Sequence, residues 1–332
     1  MDWRIKRLGQ AIITVYAVMT LSFILIRGMP GSATDYLMYQ LMEEGEDPRA
    51  AAQMVEMYSN INPEKPIHIA YFDYMVAFMQ GDLGISVWYR RPVAEIMAAA
   101  LPWTVFVMSI ATLSSFLIGI SLGGIMAYWE GSKSDVSLSV LATVMSSVPF
   151  YVIALLLLSW LAFRANWFPT GGRYPTGTSP GWNIPFLLGA VHHAILPILS
   201  MVLAGFGGTA LAMRGNAIQI LGEDYMRVAR LRGLPDKRIS LRYVSRNALL
   251  PLYTGLMISI GSAFGGSVIL EIIYRYPGMG WYMIQGVNAR DHILMMGAFT
   301  IITMAVVVAL VIADLTYGYL DPRARGGETD AY

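Results

Sequence analysis

Six stretches of this 332-residue chain contain no Asp, Glu, Lys or Arg, and they dictate what the chain can fold into. They cover residues 8–26, 96–129, 136–163, 174–213, 247–270 and 292–313. A helix needs roughly 20 mostly apolar residues to cross a bilayer core, and every run meets that length. Only 14% of the residues are charged, against about 25% in an ordinary soluble domain. Runs this long without polar alternation exclude barrel strands and predict an all-α integral membrane protein with six transmembrane helices. The fourth run opens on turn chemistry over residues 174–185, so its span is placed near residues 190–213.

The charges that remain are unevenly distributed. Six spans put both termini on one side, and 14 of the 23 basic residues then fall there, eight of them between Arg214 and Arg246. Residues 30–100 carry ten acids against four bases. The Lys/Arg bias therefore predicts cytoplasmic termini in a multi-pass plasma-membrane protein. The first run exceeds a signal-peptide core of about 7–15 residues and is expected to stay as an uncleaved helix. A net charge of +1 gives no footprint for nucleic acid.

The expected divisions are four. Residues 1–29 form a cytoplasmic start and first span, and residues 30–98 a small helical extracytoplasmic segment. Residues 99–320 form a five-helix core containing a cytoplasmic loop at 214–250, and residues 321–332 a tail. In the 30–98 segment, Asp47-Pro48 marks a helix start. A second helix follows Pro66 and ends at Gly81. Ala51, Met54, Val55 and Tyr58 share one face, as do Tyr71, Tyr74, Met75, Phe78 and Met79. Such faces either rest on the membrane helices or dock an external partner, and spacing favours the first.

The 214–250 loop is the most informative segment. Tyr225, Val228, Ala229 and Leu231 alternate with Arg227, Arg230 and Arg232, which predicts an amphipathic helix stopped by Gly233. Pro235-Asp236 opens a second helix. Ala229 and Gly233, four apart, give a small-residue face suited to close approach. Charge alone would explain contact with anionic lipid, but lipid attraction does not require a glycine stop at a fixed place.

The run Glu223-Asp-Tyr-Met-Arg-Val-Ala-Arg-Leu-Arg-Gly-Leu234, followed by Arg246-Asn-Ala-Leu-Leu-Pro251, resembles the cytoplasmic signature loop of type I ABC importer permeases, in the dipeptide/oligopeptide branch. Gly81-Asp-Leu-Gly84, Phe168-Pro-Thr-Gly171, His193-Ala-Ile-Leu-Pro197, Tyr276-Pro-Gly-Met-Gly280 and Leu320-Asp-Pro-Arg323 resemble the same branch in order and spacing. The resemblance covers nearly the whole chain. Arg227 and Val228 stand where the general signature has Glu and Ala.

The resemblance implies the type I ABC permease fold and a non-enzymatic half of a translocation path. Its cargo would be oligopeptides or oligosaccharides, or the nickel complexes that the branch also carries. Its partners would be a second homologous permease, two cytoplasmic ABC ATPases that hold ATP and Mg, and an extracytoplasmic binding protein. No cofactor is expected on this chain. The coupling loop would use Glu223, Asp224, Tyr225, Arg227, Ala229, Arg230, Gly233, Leu234 and Arg238. Glu271 and Asp314 sit at span edges as structural or gating acids.

Competing chemistries have little support. None of the four lysines follows a glycine, so there is no Walker A loop. His192-His193 lacks the spacing of a zinc protease site. Gly119-Ile-Ser-Leu-Gly123 matches a serine-hydrolase pattern, but it lies inside an apolar run where small residues serve helix packing. The second reading is a channel or ion-coupled transporter working without ATPases, although the paired broken segments of an inverted repeat are missing.

Overall fold

The computed structural model describes residues 3–28, 33–59, 66–235, 238–263, 267–289 and 291–320. Among these the chain is helical apart from turns, loops and one isolated β-bridge between Ile85 and Pro92. The helices are α1 Trp3–Gly28, α2 Ala33–Glu43, α3 Pro48–Ser59, α4 Ile67–Met79, α5 Val93–Tyr128, α6 Lys133–Ser147 and α7 Phe150–Leu157. A π-helical turn Leu158–Arg164 continues α7. There follow α8 Ile184–Leu221, α9 Asp224–Leu231, a π turn Ile239–Val244, α10 Ser245–Ala263, α11 Val268–Ile273, α12 Met279–Asn288 and α13 His292–Leu320.

Among the described residues four helices are long and apolar enough to span a bilayer: Leu8–Leu25 within α1, Val93–Tyr128, Ile184–Leu221, and Ile293–Ile312 within α13. The third run, expected as one span, is two helices bent by 92°. Pro149 causes the break. It has no N–H to donate, and it pushes the preceding Val148 into an extended conformation (φ −86°, ψ 122°). The fifth run gives α10, 19 residues long with Pro251 inside it, and α10 is not among the helices apolar enough to count. Among the described residues the chain is thus all-α with four helices long and apolar enough to span, or five if the bent pair is one, where the sequence predicts six.

The described residues fall into two compact units. The first lies within Met1–Val105, Phe264–Ile272 and Tyr276–Leu315. Its core is Val93, Ile96, Met97 and Ala100 of α5 against Met279, Ile293, Leu294 and Ala298. Gly297 lets α13 approach Val93 closely. Asp47 caps α3 as expected, accepting from the Arg49 N–H at 3.0 Å. Ala51 and Val55 are buried. Tyr71 and Tyr74 of α4 pack on Phe23 and Met296. Tyr71 also shares a 2.7 Å hydrogen bond with Thr20, so Tyr71 and Tyr74 serve packing, whereas Met79 of the same expected face is exposed.

The second unit lies within Phe106–Ala263, Ile273–Arg275 and Thr316–Tyr332. Here α5 and α6 both pack on α8 through small residues. Gly119 meets Thr209, Gly123 meets Ala210, Gly205 meets Ser115 and Gly207 meets Ala142. The hydrolase-like motif is therefore a helix crossing. The Ser121 hydroxyl donates to the Leu117 carbonyl of its own helix at 2.7 Å.

Candidate coupling surface

The first half of the loop after α8 folds as the sequence predicts, a short helix stopped at Gly233, while the second helix expected from Pro235-Asp236 begins partly outside the described residues and runs into the π turn Ile239–Val244. Helix α9 begins at Asp224, after Glu223 in extended conformation. An acid in the first turn and Arg230 in the last both complement the helix dipole. The helix ends in a Schellman arrangement: the Gly233 N–H donates to Arg230 O at 2.9 Å and the Leu234 N–H to Ala229 O at 3.3 Å. Gly233 has φ +68°, a conformation that costs L residues other than Asn and Asp about 1–2 kcal/mol. The chain then turns at Pro235, whose carbonyl accepts from the Arg238 N–H at 2.8 Å.

The elbow has two faces. Met226 and Ala229 are buried against Met213 and Ala217 of α8, Ala127 of α5, and Ile239, Val244 and Ala248, with Leu234 packed at the edge. The outward face carries Tyr225, Val228 and Leu231, the last 82% exposed. Exposed Arg227, Arg230 and Arg232 interleave with them, and Glu223, Asp224, Gly233 and Arg238 are exposed as well. The small-residue face expected around Ala229 is not the outward one. Ala229 is 4% exposed and anchors the elbow from inside, within the cluster it shares with Met213, Ala217, Ile239, Val244 and Ala248. The open surface is apolar with an arginine fringe. A cavity of about 440 Å³ lies beside it, lined by Tyr128, Trp129, Met213, Ala217, Arg230 and Val244, among others.

Glu271 occupies a different setting, in the first unit. It is 3% exposed and lies in α11, outside the spanning helices. Its Oε1 accepts the Thr104 hydroxyl at 2.8 Å, and its Oε2 accepts the Trp281 N–H at 2.8 Å. Thr104 in turn accepts the Met279 N–H at 2.9 Å. The carboxyl therefore caps the start of α12, whose own N-cap is Gly278 and offers no side chain. A Cβ at Gly278 would fall on Thr104 and on the Glu271 carboxyl, so the Tyr-Pro-Gly-Met-Gly turn requires glycine there. Burial pushes the Glu271 carboxyl up to about 7, and the Thr104, Trp281 and Gly280 donors only partly offset this. Asp314 lies in α13, and its side chain is outside the described residues.

Two acids that the sequence reading did not single out are built into the fold. Asp135 of α6 holds Arg214 of α8 with bonds of 2.6 and 2.8 Å. Asp291 is buried before α13, accepting Ser86 Oγ at 2.6 Å, the Trp88 N–H at 3.0 Å and the Leu294 N–H at 2.9 Å. An Asp immediately before an apolar helical run is a legible cap signal; the pairing of Asp135 with a residue 79 positions away is not. His192 and His193 contact the carbonyls of Trp167 and Gly189. Among the described residues no group of three or more His, Asp or Glu is placed to hold a metal ion.

Residues 119–326 match the family model described as binding-protein-dependent transport system inner membrane component. The chain is 30% identical over 320 residues to the oligopeptide transport system permease protein AppB of Bacillus subtilis, covering 96% of this chain and 98% of that one. It is 26% identical over 326 residues to the glutathione transport system permease protein GsiC of Escherichia coli, covering 98% and 99%. Among solved structures, an inward-facing MetNI methionine ABC transporter chain shares the fold, with a TM-score of 0.54 at 12% identity. That match covers 68% of this chain and 96% of the other.

Proposed function

The chain belongs to the family of binding-protein-dependent transport system inner membrane components, the non-catalytic permease subunits of ABC importers, and on that premise we propose that it forms half of an import path for small peptides. It is a multi-pass membrane protein. The names of two relatives, one for oligopeptides and one for glutathione, support peptides over oligosaccharides as the cargo. In this reading the path has six spans, with α6 and α7 jointly making the third and α10 the fifth. Both termini and the 214–250 loop are cytoplasmic, and the 30–98 segment is extracytoplasmic, following the Lys/Arg bias. The partners are a second permease of the same family, two ATPases that carry ATP and Mg, and an external binding protein.

The observation that carries the proposal is the α9 elbow. A short helix with a Schellman stop, a buried inner face and an apolar outer face is a preformed knob for a groove on another protein. The ATPases bind ATP better in one global state than in the other, and that difference in affinity is what drives the cycle. A rigid elbow transmits it because its inner face is already packed on α8 and α5. Leu231, Val228 and Tyr225 supply the desolvated contact, and Arg227, Arg230 and Arg232 fix its orientation by charge.

The test uses the assembled importer in vesicles, with peptide-loaded binding protein. Gly233→Trp and Leu231→Glu are each expected to abolish stimulation of ATP hydrolysis by the loaded binding protein while the chain still inserts. Normal stimulation in both variants would overturn the coupling assignment. Loading the binding protein with oligosaccharides in a parallel series decides the cargo, and stimulation by sugars but not peptides would reverse the assignment.

A further inference from the structure

Asp135 and Arg214 form an ion pair in the second unit that the coupling reading does not use. Asp135 is 2% exposed, and both its oxygens face the Arg214 guanidinium, Nε at 2.6 Å and an Nη at 2.8 Å. This two-point geometry fixes orientation as well as distance. The carboxylate is held from its own side too. It accepts the Gly131 N–H at 3.0 Å and lies 3.4 Å from the Ser139 hydroxyl. Ser132 caps the same helix by accepting the Asp135 N–H at 3.1 Å. The turn after α5, the first turn of α6 and the end of α8 thus meet on one carboxylate.

The pair closes a tight seam. Gly207 of α8 packs directly on the Ala142 backbone of α6. Asp135 is seven residues before Ala142 and Arg214 is seven after Gly207, so the helices run antiparallel and the pair lies about 10 Å further along. Between the two points, Met126, Ala142 and Ala210 pack with Leu138 and Leu211. Arg214 is also next to Met213, which supports Met226 and Ala229 of the elbow. A continuous chain of contacts therefore runs from α9 through the end of α8 to the start of α6.

We propose that Asp135 and Arg214 are positioning residues for import: the pair locks the end of α8, which bears the elbow, to α6, so that a displacement received at the elbow moves both helices as one body. The proposal rests on the coupling reading of the elbow. Without the charge pair, the helices would be joined by apolar contacts alone, the Leu138 and Leu211 packing and the small-residue seam about two turns away, and the end of α8 would swing on them.

The chain has no cysteine, so paired spin labels can be introduced directly. Labels at Ser137→Cys on α6 and Gln219→Cys on the last turn of α8 report the seam, since both positions are exposed and outside the elbow. In the assembled importer the label distance is expected to stay constant when ATP is trapped. With Asp135→Asn added, the distance is expected to broaden and shift on ATP binding, and peptide imported per ATP to fall roughly tenfold. If Asp135→Asn assembles poorly, Asp135→Asn with Arg214→Gln removes the unpaired charge. Assembly is expected to return in that double variant while import per ATP stays low. A distance that changes with ATP in the parent, or full import per ATP in the double variant, would overturn the proposal. Normal coupling in Gly233→Trp with an unchanged label distance would strike the elbow reading instead.

Discussion

Asp135 and Glu271 are both buried acids, and they are held in opposite ways. Asp135 faces a guanidinium and remains a charge. Glu271 faces a hydroxyl and backbone N–H groups, and burial pushes its carboxyl up to about 7. The first joins two long helices, α6 and α8. The second caps a ten-residue helix and braces a glycine turn. The contrast teaches that a buried acid on an apolar chain is tolerated either by pairing or by neutral donors, and only the second arrangement responds to pH near neutrality.

Two substitutions and a pH series test this contrast, and a third substitution sets it against the backbone stop of the elbow; the substitutions run from the largest expected effect to the smallest. Glu271→Ala strands the Thr104 hydroxyl and the Trp281 N–H and leaves a void under Gly278. It should cost about 3 kcal/mol in thermal unfolding of the protein in lipid nanodiscs. Asp135→Ala leaves Arg214 without its partner. The expected loss is about 2 kcal/mol in the same assay, below that of a fully buried pair because the Arg214 side chain is 30% exposed. If Asp135→Ala proves more costly than Glu271→Ala, the ranking of the two devices is reversed. Gly233→Ala forces a Cβ into φ +68° with nothing near it to clash. It should cost about 1 kcal/mol and weaken the elbow without unfolding the bundle.

The fourth effect is a pH slope, comparable in size to the Asp135→Ala loss. The folded Glu271 carboxyl titrates near 7 against an ordinary 4.5, so the folded state binds more protons between those values. Its contribution is complete below about 4.5 and is lost as pH rises through about 7. Relative to Glu271→Gln, the parent should therefore lose melting temperature from pH 5 to 8. Parallel pH curves for the two proteins would show that the carboxyl stays charged throughout.

Local signals were legible without the structure. Asp47-Pro48 capped α3, Gly81 and Gly233 adopted positive φ at the predicted stops, and the first, second, fourth and sixth uncharged runs became long apolar helices. Non-local features were not legible. Pro149 marks a break inside an uncharged run, but not that the two halves turn by 92°. Ala229 looked like part of an open face because helical spacing gives the period of a face but not its direction. Asp135 read only as a charge ending a run, and Glu271 only as an acid at a span edge, until their partners 79 and 167 residues away were in place.

The sequence alone determined that this chain lives in a membrane as helices, where its charges concentrate, and where the elbow stops. Those outcomes follow from the cost of desolvating a charge and from single-residue backbone preferences, which act wherever the residue sits. Tertiary structure alone decided which arginine meets Asp135, which donors hold Glu271, and which face of α9 is left open. Those choices depend on how closely helices can approach, and glycines at the crossings set that distance only once both helices exist.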